Sequence, residues 1–494
     1  MNPVTGQANP AYAGSRGTNG LSTTAGAGLV NDVATVDNFF RTTRTVYDTK
    51  LFVGDLVLGG RTGLRLPGGD VGFAIGGQYR RNHYSVNYNA DSNLATNPCP
   101  GSPLNPNATC TPQTGALGFL GTNRNASSVG DVKALFAELQ LPIFQAVNAQ
   151  LSARYEDYGG AVGSTFNPQG RLRVQVAPWL ALRGGAGTTF RGPPAQQLEG
   201  NLTALQIIGT SFRAVDINGN PNLSPEKATT YSGGVIVDIG GFNASVDYFR
   251  YDLKGPIEQE PTQGIVNALF GASGIANCGN AAFAALQQRF TFTGAGCGVA
   301  NVQRLRTVYV NSADVTTSGL DVQATYRGDI GLATVTVGAT GTYVIEYKTK
   351  DVTVEGVVVQ PAFNGVGLLN YQTTAYPVPE IKGNWYVQGD YDIASLRLQF
   401  NYIDGYTDQR GAAIFGPNFG ALAGASVTGG KEIGAFKTMD ATLRIALPTG
   451  STISLSALNI FDRAPPFARL DQNYDPFTAS PLGFTAKVGL SQRF

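Results

Sequence analysis

The last eleven residues of the chain alternate strictly between apolar and polar side chains. From Phe484 onward the even positions read Phe, Ala, Val, Leu, Gln and Phe, and the odd positions read Thr, Lys, Gly, Ser and Arg. This alternation predicts a β-strand whose apolar face includes Phe484, Val488, Leu490 and Phe494. Chain termini usually fray, so a strand of this quality that runs to the final carboxylate is expected to have a structural task.

The same alternation recurs upstream. Leu443 lies on the apolar face of one such segment and Arg444 on its polar face, and the pattern repeats in residues 171–176, 320–327 and 396–402. Arginine and aspartate recur at the polar positions, which suits a water-filled lumen better than a packed sandwich. A membrane barrel needs such strands because its outer face contacts lipid and its closure leaves no edge. The pattern therefore predicts an all-β fold, a transmembrane antiparallel β-barrel.

The amino-acid composition agrees with a barrel and argues against nucleic-acid-binding proteins and proteins with transmembrane helices. The 494 residues have a formal net charge of +1 and only 14% charged residues, which gives no electrostatic footprint for nucleic acid. No apolar run approaches the length of a transmembrane helix. The 64 glycines, 26 phenylalanines and 21 tyrosines fit a turn-rich β protein with aromatic girdles at the membrane surfaces. Tyr155, Tyr248, Tyr343 and Tyr406, near the ends of upward strands, are expected in such a girdle.

Short and long connections alternate along the chain. Tight turns such as Leu66-Pro67-Gly68-Gly69 and Gly240-Gly241 are separated by mostly long polar connections, roughly residues 85–130, 190–228, 253–306, 348–382, 407–436 and 462–481. In outer-membrane barrels the short turns are periplasmic and the long loops are outside the cell. Aromatic residues in the loops, among them Phe270, Phe290, Tyr371 and Phe415, are expected to serve either as ligand platforms or as packing.

About fifteen strands can be counted from Leu51 onward. With an odd count the first and last strands run in the same direction and cannot pair antiparallel, although single-chain bacterial barrels have even counts. We therefore expect residues 49–494 to be an incomplete barrel, and residues 1–48 to be a loop or an upstream remnant with a possible further strand near 39–46. No signal peptide is visible, which suggests a processed, truncated or fragmentary chain.

The four cysteines form two pairs that are each local to one long loop. Cys99 lies near Cys110, and Cys278 lies near Cys297. Loop-local pairs favour disulfides formed in an oxidising compartment, with four free thiols as the alternative. A metal site is not expected, because His83 is the only histidine and no Cys-x-x-Cys occurs. No catalytic motif appears either, so neither an enzyme nor a cofactor is predicted.

Several segments resemble the signatures of TonB-dependent outer-membrane receptors. They are residues 189–198 (Thr-Phe-Arg-Gly-Pro-Pro), 220–227 (Asn-Pro-Asn-Leu-Ser-Pro-Glu-Lys), 311–321 (Asn to Gly-Leu-Asp), 458–466 (Leu-Asn-Ile-Phe-Asp-Arg-Ala-Pro-Pro) and the closing strand. Each is weak alone, but the five occur in the family's order. Gly192 stands where the family usually has alanine, and Gln197 where it has glutamate.

The resemblance implies a 22-stranded barrel that holds an N-terminal plug. It also implies energised import of a scarce nutrient of the siderophore, cobalamin or oligosaccharide class. The expected partners are outer-membrane lipid, the barrel-assembly machinery acting on the closing strand, the small-molecule ligand, and an inner-membrane energy-coupling complex that works through the plug. This sequence shows no plug-like domain and no energy-coupling box.

Two other functions stay open. A barrel without a plug is a passive pore, and long loops can make a surface protein that binds glycans or partners. An upstream plug would favour the importer, ion conductance would favour the pore, and loop-dependent binding without uptake would favour the binding protein. The sequence does not identify the substrate.

Overall fold

A computed structural model gives the fold of residues 43–99, 109–110, 115, 123–294, 296–371, 373–411, 413–414, 425–426, 429–470 and 472–493. These residues fall into two compact units. One lies within Met1–Tyr47 and Val86–Asn125, and the other lies within Asp48–Ser85 and Ala126–Phe494. The second unit contains most of the main sheet and every site described below except the disulfide Cys99–Cys110.

The main sheet is a meander of fifteen long strands in which each strand pairs with its neighbour in sequence. This confirms the predicted number and the antiparallel all-β fold. The strands are β1 (Thr45–Leu66), β2 (Gly69–Tyr88), β3 (Ala126–Phe144), β4 (Val147–Asp157), β5 (Ser164–Ala177), β6 (Leu180–Arg191), β7 (Glu226–Ile239), β8 (Phe242–Lys254), β9 (Val315–Ile330), β10 (Ala333–Thr349), β11 (Ile381–Tyr391), β12 (Ala394–Ile403), β13 (Phe436–Ala446), β14 (Ser451–Leu458) and β15 (Thr485–Gln492).

The two ends of the sheet are β1 and β15, which are not paired with each other among the described residues. Thr45 and Val46, expected to contribute to a separate strand, instead begin β1, and residues 39–42 lie outside the described part of the chain. Tight turns join alternate strand pairs, for example Gly240 and Gly241, which both have positive φ angles of 56° and 83°. Glycine adopts this backbone conformation without strain.

The strand register confirms the two faces that the sequence predicts. Leu443 pairs with Leu396 on one side and Leu455 on the other, while Arg444 pairs with Ser395 and Ser454. Leu396 and Leu455 are 47% and 42% exposed, and Leu443 between them is partly exposed, as expected for a surface that contacts lipid. The opposite face is a polar wall whose side chains bond one another, including Arg183 with Asp247, Thr342 with Asp321, and Asn401 with Asp440.

The closing strand has the predicted alternation. In β15, Val488 pairs with Leu455 and Leu490 pairs with Ile453. Val488 is 80% exposed and Leu490 is 75% exposed, whereas Phe484 lies one residue before the strand. Phe494 lies outside the described residues.

The long connections differ from the polar loops that the sequence predicts. Segments from two of them form a second sheet in the order Ile257–Gln259, Val302–Asn311, Ser211–Asn218 and Asn201–Ile208, with Phe290–Phe292 paired to Val302–Asn311. The hairpin Val352–Val354 and Val357–Gln360 packs on the same hydrophobic core. We call residues 201–218, 257–311 and 352–360 the disulfide lobe. Its core contains Ile265, Leu269, Phe270, Leu286, Val302 and Leu305.

Helices occur only in connections of the described chain. They are α1 (Ala195–Glu199), α2 (Thr262–Phe270) and α3 (Ala284–Gln287), with 3-10 turns at Ala90–Ser92, Ala281–Phe283 and Val299–Asn301. None of the helices in the described residues has the length and apolar character needed to cross a membrane. The remaining short strands are Phe363–Asn364, Tyr406–Thr407, Ala413–Ile414, Ala425–Ser426 and Glu432–Ile433.

Candidate ligand-binding loops

The family-like motifs meet at the base of the disulfide lobe. Arg191, at the end of β6, lies opposite Glu226, at the start of β7, and binds its carboxylate through both Nε and Nη2. The amide of Ile257 donates to the same carboxylate at 2.9 Å. Arg191 and Glu226 belong to two different signatures and are 35 residues apart in the sequence. Their bidentate ion pair joins the two signatures and fixes orientation as well as distance.

Asn311 from a third motif extends this arrangement. Its Oδ1 accepts from the amide of Ser224 at 2.9 Å, and its Nδ2 donates to the carbonyls of Ser224 and Gly255, each at 2.9 Å. Asn220 donates from Nδ2 to the carbonyl of Tyr309 at 3.0 Å. These side chains satisfy backbone groups where strands end and loops begin, so their role is architectural.

The fourth motif has the same role at the other end of the sheet. Asn459 has a positive φ of 50°. Its backbone amide donates to the Asp440 carboxylate, and its side-chain Nδ2 donates to the carbonyl of Arg463. Asp462 accepts a 2.8 Å hydrogen bond from the amide of Phe484, just before β15. The motif therefore connects β13, the last long loop and the closing strand.

The glycine that departs from the family pattern has a steric cause in this structure. A Cβ atom on Gly192 would lie 2.6 Å from Cζ of Tyr158 and 2.8 Å from its hydroxyl oxygen. The Tyr158 ring also packs edge-on against Phe190, with 6.3 Å between ring centroids. Burial, together with a hydrogen bond to Glu156, raises the pKa of Tyr158 to about 12. The tyrosine therefore occupies the space that the usual alanine would need.

Gly192→Ala is expected to destabilise the protein by about 1–3 kcal/mol, because the new methyl group overpacks against the Tyr158 ring. Unfolding in urea measures the loss. Tyr158→Ala in the same chain should remove most of the Gly192→Ala penalty, which a double-mutant cycle would detect. Tyr158→Phe keeps the ring and serves as the control. Additive effects of Gly192→Ala and Tyr158→Ala would contradict this steric explanation.

Two disulfides occur in the pairing inferred from the sequence. Cys99 is bonded to Cys110 with a Cα–Cα distance of 5.8 Å, and Cys278 is bonded to Cys297 with a Cα–Cα distance of 5.6 Å. The second disulfide packs against the core of the disulfide lobe.

Two ion-pair clusters lie in the disulfide lobe. Arg289 donates to both oxygens of Glu260 at 3.2 and 3.3 Å and to Glu355 at 2.8 Å. Burial raises the pKa of Glu260, and the charge of Arg289 partly opposes that rise. Arg304 pairs with Asp216 across the parallel strands of the lobe. Sequence patterns did not reveal these residues, because their partners are distant along the chain.

A cavity of about 570 Å³ lies against the disulfide lobe. Its walls come from the strand Ile257–Gln259, the start of α2, Gln206 and residues 373–376. Glu258 is one of the lining residues, and its carboxylate oxygen Oε2 is buried away from solvent and accepts no hydrogen bond within the described residues. Burial and the nearby Glu226 raise the pKa of Glu258 to about 7, against a weaker opposing hydrogen bond from Ser312.

The raised pKa makes a prediction about pH. The folded-state pKa of Glu258 is above its usual 4.5. Burial of this carboxyl therefore destabilises the folded state increasingly as the pH rises from about 4.5 to about 7, and by a constant amount above that range. Glu258→Gln should therefore slow hydrogen exchange of Ile257–Gln259 relative to the parent at pH 8, with a smaller difference at pH 5. Glu199→Gln, which removes an exposed carboxylate from α1, is the control. An equal difference at both pH values would contradict the prediction.

A second cavity of about 410 Å³ is lined by aromatic side chains of the later loops. The guanidinium of Arg410 lies over the Tyr371 ring, 3.9 Å from the ring centroid. Tyr376 contacts Phe477 with 5.3 Å between ring centroids. We call this cavity, lined by Tyr371, Tyr376, Pro377, Tyr474 and Phe477, the aromatic cleft. It can accept a planar or apolar group.

The aromatic residues considered from the sequence separate into two groups. Phe270 and Phe290 are buried in the disulfide lobe and contact each other, so they pack, whereas Tyr371 lines the aromatic cleft. Phe415 lies outside the described residues. Tyr406, expected in the membrane girdle, is instead buried among the loops and bonds Asp475, which corrects that expectation. Tyr155, Tyr248 and Tyr343 are exposed, as a girdle requires.

Comparison with known proteins gives the family. The model of the TonB dependent receptor-like beta-barrel matches residues 3–460, and the chain belongs to this family. It is 26% identical over 145 residues to the ferric enterobactin receptor of Pseudomonas aeruginosa, which is 28% of this chain and 19% of that protein. It is 24% identical over 152 residues to the probable TonB-dependent siderophore receptor PirA of Acinetobacter baumannii, 30% of this chain and 20% of that protein.

Solved structures show the same fold. A mutant of the ferric enterobactin receptor PfeA of Pseudomonas aeruginosa, in complex with enterobactin, has a TM-score of 0.57 at 15% identity, over 90% of this chain and 54% of that one. The siderophore receptor PirA from Acinetobacter baumannii has a TM-score of 0.55 at 15% identity, over 90% of this chain and 55% of that one. The chain thus spans about half the length of these receptors. The proteins that it matches are receptors and not enzymes.

Proposed function

We propose that the chain is the barrel portion of an outer-membrane receptor for energised uptake of a scarce nutrient, and that the nutrient is of the siderophore class. The disulfide lobe is the observation that carries the proposal. Its hydrophobic core and disulfide hold several loops in one arrangement, and its surface forms a cavity. Binding sites gain affinity from such preorganisation. The relatives named for ferric enterobactin and siderophores supply the substrate class.

The proposal also assigns surroundings and partners. The exposed apolar face of the sheet contacts outer-membrane lipid, the tight turns are periplasmic, and the long loops with both disulfides are outside the cell. Energy reaches the receptor from an inner-membrane coupling complex through a plug. In this proposal the barrel domain is residues 49–494. A passive pore would not need a folded loop lobe, and no contact among the described residues favours it.

The test is iron uptake by a bacterium that lacks its own siderophore receptors and expresses the receptor. Radiolabelled ferric chelates of the catecholate and hydroxamate classes should enter only when the energy-coupling protein is present. Uptake that continues without the coupling protein would indicate a passive pore. Binding of a chelate at the cell surface without uptake would indicate a binding protein.

We further propose that the barrel-assembly machinery recognises the apolar face of the closing strand. Substituting Val488 and Leu490 together by asparagine should leave most of the protein heat-labile and outside the membrane, because polar side chains interrupt a face that enters lipid. Lys487→Asn changes the other face and should have little effect. Extraction of membranes and heat-dependent gel mobility measure both outcomes, and equal assembly of the two variants would contradict the proposal.

A further inference from the structure

The apolar face of the main sheet continues into a charged region at one end of β8. Side chains of a strand alternate between its two faces. In β8 the apolar face carries, in order, Phe242, Ala244, Val246, Tyr248, Arg250, Asp252 and Lys254. Val246 pairs with Val235 and Val322 on the neighbouring strands, which identifies this face as the one that contacts lipid. Asp247 belongs to the opposite face, the polar wall, where it binds Arg183.

The length of β8 places Lys254 just outside the apolar band. The strand has 13 residues and begins at Phe242, directly after the tight turn Gly240-Gly241. At about 3.3 Å per residue and a tilt of about 40°, its last residue lies about 30 Å from its first along the membrane normal. The apolar band of a barrel is about 25 Å tall, and Tyr248 lies within that distance. Lys254 is therefore expected at the level of the lipid head groups.

Two lysines stand opposite each other at this level. Lys254 is the register partner of Lys227 in β7, and both side chains are exposed. Glu226 precedes Lys227, but it lies on the other face of β7 and is bound by Arg191. Like charges directly opposite on neighbouring strands destabilise a sheet. An anion that contacts both ammonium groups would remove this repulsion.

The carboxylates on this side of the sheet do not supply that anion. Asp252 and Asp314 are near Lys254, but Arg250 binds the first at 2.9 Å and Lys350 binds the second at 2.8 Å. Within the described part of the chain, neither lysine of the pair has a carboxylate at ion-pair distance. The pair therefore keeps its positive charge for a partner outside the chain.

We propose that Lys227 and Lys254 together bind a phosphate group of an outer-leaflet lipid. Phosphate oxygens accept hydrogen bonds from both ammonium groups. Basic side chains beside a membrane surface attract anionic head groups. The occupant is a lipid because the pair lies on the lipid-facing side of the sheet, directly beyond the apolar band. The assignment to the outer leaflet rests on the proposed function, which places the long loops outside the cell.

The experiment compares two lipids that differ only in their phosphates. One is lipid A with its phosphate groups, and the other is the same lipid after enzymatic removal of the phosphates. Native mass spectrometry of the purified full chain, at a fixed concentration of nonionic detergent, gives the apparent dissociation constants. The parent should bind the phosphorylated lipid about 25-fold more tightly, which is about fivefold for each lysine beside an anionic membrane surface.

Lys227→Gln with Lys254→Gln should bring the two dissociation constants together. Lys227→Arg with Lys254→Arg keeps both charges and should keep most of the preference. The matched control is Lys382→Gln with Lys487→Gln, which removes two lysines from the polar wall and should leave the preference unchanged. Heat-dependent gel mobility shows whether each variant is folded.

The proposal is overturned if the parent binds both lipids equally, if the arginine variant loses the preference, or if the control variant loses it as fully as the glutamine variant of the pair. Displacement of the phosphorylated lipid by an equal concentration of inorganic phosphate would indicate a site for a dissolved anion, and would overturn the assignment to lipid.

Iron uptake tests the proposed function separately. A parent chain that shows the lipid preference but imports no chelate would support this inference and contradict the importer. A parent chain that imports a chelate without the lipid preference would do the reverse.

Discussion

Leu443→Arg is expected to lower the free energy of unfolding by about 2–4 kcal/mol, the cost of an arginine at the bilayer midplane of a barrel. Leu443 lies near the middle of β13 and pairs with Leu396 and Leu455 on the apolar face. Its neighbour Arg444 points to the polar wall, where Ser395 and Ser454 flank it. Arg444→Leu should therefore cost much less, because a wet lumen does not penalise one apolar side chain strongly.

The two substitutions form a matched pair on adjacent residues of one strand. Both change an arginine for a leucine or the reverse, so strand propensity differs little between them and the membrane environment dominates. Urea unfolding of the protein in lipid vesicles, followed by heat-dependent gel mobility, gives the two free energies. Equal losses, or a larger loss for Arg444→Leu, would mean that the two faces of β13 are assigned the wrong way round.

The main sheet could be predicted because its signal is local. Each strand separates lipid from water, so apolar and polar side chains must alternate with period two, and a few neighbouring residues show this. Leu443 and Arg444 are an example, and their partners in β12 and β14 follow the same alternation. Tight turns carry glycines whose positive φ angles favour that residue, as at Gly240. Strand order then follows from the short connections.

The disulfide lobe could not be predicted in the same way. Its core combines α2, Val302 and Leu305 with residues from two other loops. Several of its segments are as long as the closing strand, but each acquires its buried face only by packing on segments that are distant in the sequence. The ion pairs follow this rule, because Arg289 binds Glu260 and Glu355, which are 29 and 66 residues away from it in the sequence. The cysteines were the exception, since each pair closes a short loop.

Tyr406 shows why a local signal can mislead. It follows the end of β12 closely, where the sequence suggests an interfacial girdle, yet it is buried and its hydroxyl bonds Asp475 and Thr478. Burial, with the hydrogen bond to Asp475, raises the pKa of the Tyr406 phenol far above its usual value. The last long loop folds back over this position, and nothing near Tyr406 in sequence reveals that contact.

The same loop carries the most deeply buried ion pair of the described residues. Asp408 is 0% exposed and Arg469 is 2% exposed by side chain. Arg469 donates from Nε to the Asp408 carboxylate at 3.0 Å and from its other nitrogens to the carbonyls of Gly411, Asp408 and Arg410. Asp408 also binds Arg410, whose guanidinium lies over Tyr371 of the aromatic cleft. The pair therefore joins two loops and supports one wall of the cleft.

Arg469→Ala is expected to destabilise these loops by about 3–5 kcal/mol, because it leaves the Asp408 carboxylate buried with less compensation and several carbonyls without donors. Hydrogen exchange of Tyr406–Thr407 and Glu432–Ile433 measures the loss. Arg463→Ala removes an exposed guanidinium from the same loop and should change exchange little. Replacing the pair together, Asp408→Leu with Arg469→Met, should recover much of the loss, since well-packed apolar residues often replace a buried ion pair at little cost. If the Arg469→Ala and Arg463→Ala variants show the same hydrogen exchange in these strands, the Asp408–Arg469 ion pair does not hold the loops together.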